Sequence, residues 1–235
     1  MLTKKLVFTY IIALSLILNA GWIDSVVLYK SFGASVAAMT GNYRILGHSI
    51  AEADIHFAIQ VSILVIGFII GAAINGIIIR TDNDVVPKSH SKALVLQSCI
   101  LLIGTMLIDI HGNASIIDDI FLAIAMGMQN SFTTLFFGGF ARTTHMTGTT
   151  TDLGIEIGRM IRGDKSNIWK IPFFTICILT FILGNTMGAF WVMIAGDLFT
   201  FMLFPSVLLP IIVGLFMLIV YKFEKKKCKS DIYSL

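Results

Sequence analysis

A few polar side chains interrupt the long apolar stretches of this sequence, and these are the residues whose chemistry could matter most. Asp24 follows the apolar run Leu6–Ile23, while Gln129 and Asn130 lie well inside the run Ile120–Ala141. A carboxylate or amide inside an apolar helix costs free energy unless it faces the protein interior and finds a partner. We expect these three side chains to contact a solute or to join helices; for Asp24, a position at the membrane interface is the alternative.

The tripeptide Met-Thr-Gly occurs twice and supplies a second set of candidates. The residues that follow the two methionines are the candidate solute contacts: Thr40, Gly41, Asn42, Thr147, Gly148 and Thr149. Glycine allows the backbone to leave a helix, and threonine hydroxyls with the freed backbone groups can then coordinate a small ligand. The alternative is a sharp turn before a short helix, with Asn42 or Thr149 as its N-cap.

The composition places these residues in a membrane protein. Of the 235 residues, 56% are apolar and 13% are charged, whereas a soluble domain carries about 25% charged residues. Backbone exposed to lipid must satisfy its own hydrogen bonds, and the runs lack the alternation of a β-barrel, so we expect helices. The six apolar runs are Leu6–Ile23, Phe57–Ile79, Ala93–Ile108, Ile120–Ala141, Ile171–Gly196 and Leu198–Tyr221.

The basic residues predict an orientation for these six spans. Of the 17 lysines and arginines, all but Lys30 and Arg44 fall on one side. Because cytoplasmic loops are rich in Lys and Arg, that side is expected to be cytoplasmic, with both termini inside. The basic residues flank apolar runs and form no surface stripe, which argues against a nucleic-acid partner.

The sequence also repeats itself. Met39–Gly47 aligns with Met146–Gly154 at one constant offset, and five of the nine positions are identical. Two further pairs match in the same order, namely Gly21–Ser25 with Gly127–Ser131 and Phe68–Gly71 with Phe181–Gly184. Each half contains three spans, so the second half must enter the membrane from the opposite side. We therefore predict an all-α integral membrane protein with about six transmembrane helices in two inverted three-helix repeats.

The residues around the second Met-Thr-Gly motif allow several interpretations. Arg142 is expected to be a boundary charge at the cytoplasmic face, and His145 either an ordinary interfacial residue or part of a proton relay. Glu156 and Arg159 belong to a short amphipathic stretch, which we expect to lie along the inner membrane interface.

The same motifs resemble the YoaK family of bacterial transmembrane proteins. The resemblance rests on Gly21–Ser25, Met39–Asn42, Gly127–Ser131 and Met146–Gly154, in this order and spacing. It implies an inner-membrane protein of about six spans in an uncharacterised family, often described as transporters. It implies no particular substrate and no catalytic residues, so it bears on the fold more than on the function.

These observations favour a small-solute transporter or channel, with proton coupling as one form of the mechanism and the site between the two repeats. The alternative is a non-transporting membrane sensor or assembly protein. We expect residues 1–115 and 116–222 to form the two halves, and residues 223–235 a basic cytoplasmic tail. The sequence has no phosphate loop, nucleophile elbow or zinc motif, so we expect neither an enzyme nor a cofactor. The expected partners are the lipid bilayer and an unknown small solute, and a homodimer is compatible with so small a chain.

Overall fold

The computed structural model describes residues 2–30, 34–80, 88–111, 116–139, 142–194 and 198–232. Within these ranges the secondary structure consists of α-helices and contains no β-strand. The helices of this part of the chain are α1 (Leu2–Lys30), α2 (Met39–Ala51), α3 (Ile55–Ile78), α4 (Lys88–His111), α5 (Ile116–Phe136), α6 (Met146–Ile161), α7 (Lys170–Ile194) and α8 (Phe199–Ile232).

Five of these helices are long and apolar enough to cross a membrane. Their apolar segments are Val7–Tyr29, Ile55–Ile78, Lys88–His111, Lys170–Ile194 and Thr200–Phe223, each 23 to 25 residues long. At 1.5 Å per residue, each segment covers the roughly 30 Å hydrocarbon layer of a bilayer. The chain is thus an all-α protein of membrane character.

The remaining long helix, α5, lies in the centre of the bundle and is not among these five. It carries Asp119, Gln129 and Asn130, which lower its apolar character. Its side chains from Leu122 to Phe132 are mostly buried against neighbouring helices. A helix that is enclosed by protein needs no lipid-facing apolar surface, which explains how α5 can hold these polar residues.

The helices α2 and α6 are much shorter, with 13 and 16 residues. Each packs against the long helix that follows it in the chain. Met146 and Leu153 of α6 contact the apolar cluster on α7, and the Lys170 Nζ lies 3.5 Å from Glu156 Oε1. The amphipathic stretch therefore runs back along the first half of α7, and its position along the membrane interface stays a prediction.

Glycine residues allow two pairs of long helices to pack in close backbone contact. A methyl group at Gly71 of α3 would collide with the carbonyl oxygen of Ile124 in α5. In the same way, a methyl group at Gly184 of α7 would collide with the carbonyl oxygen of Leu18 in α1. These glycines therefore join α3 to α5 and α7 to α1 within one chain.

The last helix, α8, contains two prolines and continues to Ile232, so the basic tail residues extend the helix. Pro205 has no N–H group and leaves the carbonyl of Phe201 without its helical donor. The indole Nε1 of Trp191 in α7 donates to that carbonyl at 3.2 Å. A tryptophan of a neighbouring helix thus satisfies the backbone carbonyl that a helical proline leaves free.

Candidate functional site

The two short helices begin at one cavity of about 280 Å³. Met39 and Thr40 of α2 line this cavity together with Met146 and Thr147 of α6. We call this space the central cavity. Its volume corresponds to roughly nine water molecules in the liquid, which is enough for a small metabolite. The two Met-Thr-Gly motifs, 107 positions apart in the chain, therefore lie at the same place in the fold.

The central cavity lies halfway along the long helices that enclose it. Phe68 and Phe181 both contribute to its wall. Phe68 is within two residues of the midpoint of the 24-residue helix α3, and Phe181 is equally close to the midpoint of the 25-residue helix α7. If these helices cross a bilayer, the cavity lies near mid-depth, away from both membrane surfaces.

Asp24 lies on the wall of the central cavity, inside α1 and more than one turn before its end at Lys30. Its carboxylate Oδ1 accepts a hydrogen bond of 2.7 Å from the hydroxyl of Ser35. That hydroxyl in turn accepts from the backbone N–H groups of Ala37 and Ala38 at 3.0 and 2.8 Å. The carboxylate therefore helps to fix the loop that leads into α2 as well as facing the cavity.

Asn130 of α5 lies on the same wall and holds the loop that leads into α6. Its side-chain oxygen is 3.2 Å from the hydroxyl of Thr144, and it also lies 3.5 Å from the Thr143 hydroxyl and from the Thr144 amide nitrogen. Asp24 and Asn130 thus have equivalent structural roles, since each accepts hydrogen bonds from the loop before a Met-Thr-Gly helix.

Asn42, in contrast, is fully buried away from the cavity wall. Its side-chain oxygen accepts from the Ser35 backbone N–H at 3.1 Å, and its amide nitrogen donates to the Ser35 carbonyl at 2.5 Å. The loop conformation between α1 and α2 depends on this pair of bonds. Asn42 therefore positions the site and does not line it.

Gln129 also faces the helix bundle instead of the central cavity. Its Oε1 accepts from Asn19 of α1 at 2.9 Å and from Gln97 of α4 at 2.6 Å, and its Nε2 donates to the carbonyl of Leu16 at 2.9 Å. These amides form a polar junction between α1, α4 and α5. A buried network of this kind fixes the relative positions of the helices.

The motif glycines are helical, so the expectation that they break the backbone is wrong. Gly41 and Gly148 lie in the first turns of α2 and α6, whose N-caps are Ala38 and His145. A methyl group at Gly148 would collide with the imidazole ring of His145, whereas one at Gly41 would meet nothing within 4 Å. Only the second glycine is therefore required by a neighbouring side chain.

Arg142 lines the candidate site, whereas the sequence predicted only a charge at the membrane boundary. It lines the central cavity and two adjoining cavities of about 430 and 310 Å³. The larger one, which we call the α6 cavity, also contains His145, Thr147, Gly148 and Thr149. Among the described residues, Arg142 makes no ion pair with Asp24 or with any other carboxylate.

Residues 12–215 match the model of a family described as a protein of unknown function, DUF1275. The chain belongs to this family. No curated protein matches the chain, and no solved structure does. The match gives a family without an established function, as the YoaK resemblance implied, but it does not itself carry the YoaK name.

In this member of the DUF1275 family, the cavity is lined by residues with hydroxyl, amide, carboxylate and guanidinium groups. The sequence identified Asp24, Thr40, Asn130 and Thr147, which all line the central cavity. It missed the aromatic wall, although Phe68 and Phe181 begin the third pair of matching segments. The sequence predicted that Arg142 is a boundary charge, because a basic residue after an apolar run usually marks the membrane boundary.

Proposed function

We propose that this protein is a membrane transporter or channel for a small polar solute, with its binding site in the central cavity. The observation that carries the proposal is that two short helices from distant parts of the chain begin at one cavity, which lies halfway along the long helices α3 and α7. In transporters built from inverted repeats, the substrate binds where discontinuous helices end near the midplane. An enzyme would need a nucleophile–base pair, and none has been identified among these wall residues.

We also propose that the two halves are inverted repeats of three spans each, with α5 as the first span of the second half. Equivalent residues supporting this arrangement make equivalent contacts. Gly21 of α1 packs against the backbone of Phe181, as Gly127 of α5 packs against that of Phe68. At a further matched position, Asn75 of α3 donates to the Met128 carbonyl at 2.5 Å. Its counterpart in α7 is Gly188, which packs against the corresponding carbonyl of Trp22.

The distribution of basic residues supports a location in the bacterial inner membrane with both termini in the cytoplasm. In this orientation the turn between α2 and α3 faces outward and the turn between α6 and α7 faces the cytoplasm. The first turn carries Glu52 and Asp54, whereas the second lies between Arg162 and Lys170. The charge difference follows the rule that positive residues stay inside.

A non-transporting sensor or assembly protein is the second candidate. It is favoured by the polar junction around Gln129, whose hydrogen bonds all stay within the chain and join three helices. In that case the polar residues would hold the bundle together and the cavity would carry no flux. Solute movement through the purified protein separates the two candidates.

The experiment compares Asp24→Asn with the unaltered protein in liposomes that report solute flux and internal pH. An asparagine can still accept the Ser35 hydrogen bond, so the loop should keep its structure, but it cannot take up a proton. We expect solute flux to lose its dependence on a pH gradient. Glu52→Gln is the control, since this exposed carboxylate ends α2 and lies outside the described cavities.

If Asp24→Asn leaves gradient-driven flux unchanged at equal protein content, proton coupling through Asp24 is wrong. If the unaltered protein moves no solute from a panel of anions, cations and neutral molecules, the transporter proposal itself is wrong. The sensor or assembly function would then be preferred.

A further inference from the structure

The position of Arg142 bears on which class of solute the cavity selects. Arg142 is an exposed residue that lines the central cavity and both adjoining cavities. It has no carboxylate partner among the described residues. An arginine without a carboxylate partner on a cavity wall can donate charged hydrogen bonds to an anion, and these are stronger than bonds to a neutral acceptor.

Resting on the transporter function proposed above, we propose that the solute is a small carboxylate anion that is held in the central cavity by Arg142. A planar carboxylate can accept two parallel hydrogen bonds from a guanidinium, which a neutral solute cannot match in strength.

The two helix starts at the cavity add to the positive potential there. Neither N-cap residue, Ala38 or His145, makes a capping hydrogen bond with its side chain. The first N–H groups of a helix have no intrahelical acceptor, and the helix dipole is positive at this end. Thr40 and Thr147 place hydroxyl groups beside these same helix starts on the cavity wall.

The aromatic wall favours an organic anion over an inorganic one. Phe68 and Phe181 give the cavity an apolar side that a nitrate or phosphate could not use. A short hydrocarbon chain could pack against the two rings while its carboxylate reaches Arg142. The cavity of about 280 Å³ has room for a solute of a few carbon atoms.

The other charged group on the wall, Asp24, sets a condition for binding. An ionised Asp24 would repel the solute and compensate the charge of Arg142 from across the cavity. His145 also lines the wall and would add a positive charge in its protonated form. When Asp24 carries a proton and His145 is neutral, Arg142 is the remaining charge among the described wall residues, and a monovalent anion neutralises it. The solute should therefore enter together with one proton, and binding of each should favour binding of the other.

The experiment measures uptake into liposomes that contain the full-length protein, with lactate and its neutral amide, lactamide, as matched probes. Nitrate tests an inorganic oxyanion, and ethanolamine tests a cation. We expect lactate to be taken up together with protons. Its uptake rate should exceed that of lactamide by about tenfold or more, because a hydrogen bond to a charged group contributes enough free energy for such a ratio. Arg142→Gln should remove this difference, and Arg142→Lys should keep part of it.

Arg162→Gln is the matched control. This arginine is exposed at the end of α6 and lines none of the three cavities, so its loss should leave lactate uptake unchanged. To guard against misfolding of an Arg142 variant, the unfolding temperature of the unaltered protein is also measured with each probe. Lactate should raise it and lactamide should not.

Each alternative result has a distinct meaning. Equal uptake of lactate and lactamide, insensitive to Arg142→Gln, would overturn the anion inference and leave the transporter proposal intact. Uptake of nitrate without uptake of lactate would show that the solute is not an organic anion. A preference for ethanolamine would show that the solute is not an anion. If no probe moves and none raises the unfolding temperature, both the anion inference and the proposed transporter fail.

Discussion

Replacing Gly71 by alanine tests the close contact between α3 and α5 on which the cavity geometry depends. The new Cβ would lie 2.8 Å from the carbonyl carbon of Ile124 and 3.0 Å from its Cα, with the carbonyl oxygen closer still. Ordinary contacts of a Cβ start at 3.4 Å. Since backbone atoms cannot rotate away as a side chain can, the helices must separate by about 1 Å, and overpacking of this kind costs about 1–3 kcal/mol.

Gly76→Ala is the control within the same helix. Nothing lies within 4 Å of a methyl group at this position. Alanine forms helix more readily than glycine, so this variant should be neutral or more stable by up to about 1 kcal/mol. We expect the free energies of unfolding of the two variants, measured in mixed micelles with increasing dodecyl sulfate, to differ by about 1–4 kcal/mol.

Equal unfolding free energies for Gly71→Ala and Gly76→Ala would refute the close packing of α3 and α5. A second substitution examines the repeat itself. Gly184→Ala introduces the same collision between α7 and α1, against the carbonyl of Leu18. It should destabilise the protein by a similar amount, whereas a neutral effect would show that the two halves pack differently.

Two further predictions concern the site and Pro205 of α8. Gly148→Ala should displace the imidazole of His145, and Gly41→Ala should not, because only the former position contacts a ring. Diethyl pyrocarbonate should then modify His145 at a changed rate in the first variant only, and an equal rate in both would contradict the observed packing. Trp191→Phe should cost about 1 kcal/mol by removing the donor to the carbonyl freed by Pro205. In a Pro205→Ala background, which restores the helical donor, that cost should fall; an unchanged cost would rule out this explanation.

Much of the fold could be predicted because lipid leaves the backbone few choices. The apolar runs all coincide with helices, although the helix ends differ by several residues. The fourth run was expected to continue to Ala141, yet α5 ends at Phe136 and is followed by Gly138 and Gly139 with positive φ of 62° and 80°. The dihedral angles of this turn send the chain back toward the bundle, and hydropathy contains no information about them.

The residues that line the cavity could be predicted where the sequence repeats, and much less well elsewhere. Met39 and Met146 occupy equivalent positions, and both line the central cavity. Asn42 was a candidate contact because its side chain is polar, but its direction is decided by hydrogen bonds to Ser35, seven positions earlier. The sequence places Arg142 at the membrane boundary because a basic residue after an apolar run usually marks that boundary. Its position beside the cavity depends on the three-dimensional fold, which hydropathy does not describe.

In the two proposed halves, equivalent positions share the helix-packing contacts but not the ionisable residues. The contacts that hold helices together are duplicated, as in the glycine contacts of α1 with α7 and of α5 with α3. The ionisable groups of the central cavity occur only once each among its described wall residues. Asp24 corresponds to Asn130, while Arg142 and His145 correspond to Ser35 and Ala38.

The proposed pseudo-symmetry would therefore give the cavity wall two similar supports, and the charged groups make the chemistry of the wall asymmetric. Asp24 is contributed by the first half and Arg142 by the second, so any relative movement of the halves would change the distance between the carboxylate and the guanidinium. A bound anion near Arg142 and a proton on Asp24 would each weaken the attraction between these two groups. In the proposed transporter, such a pair would link solute binding, proton binding and the relative position of the halves, which is the coupling that transport requires.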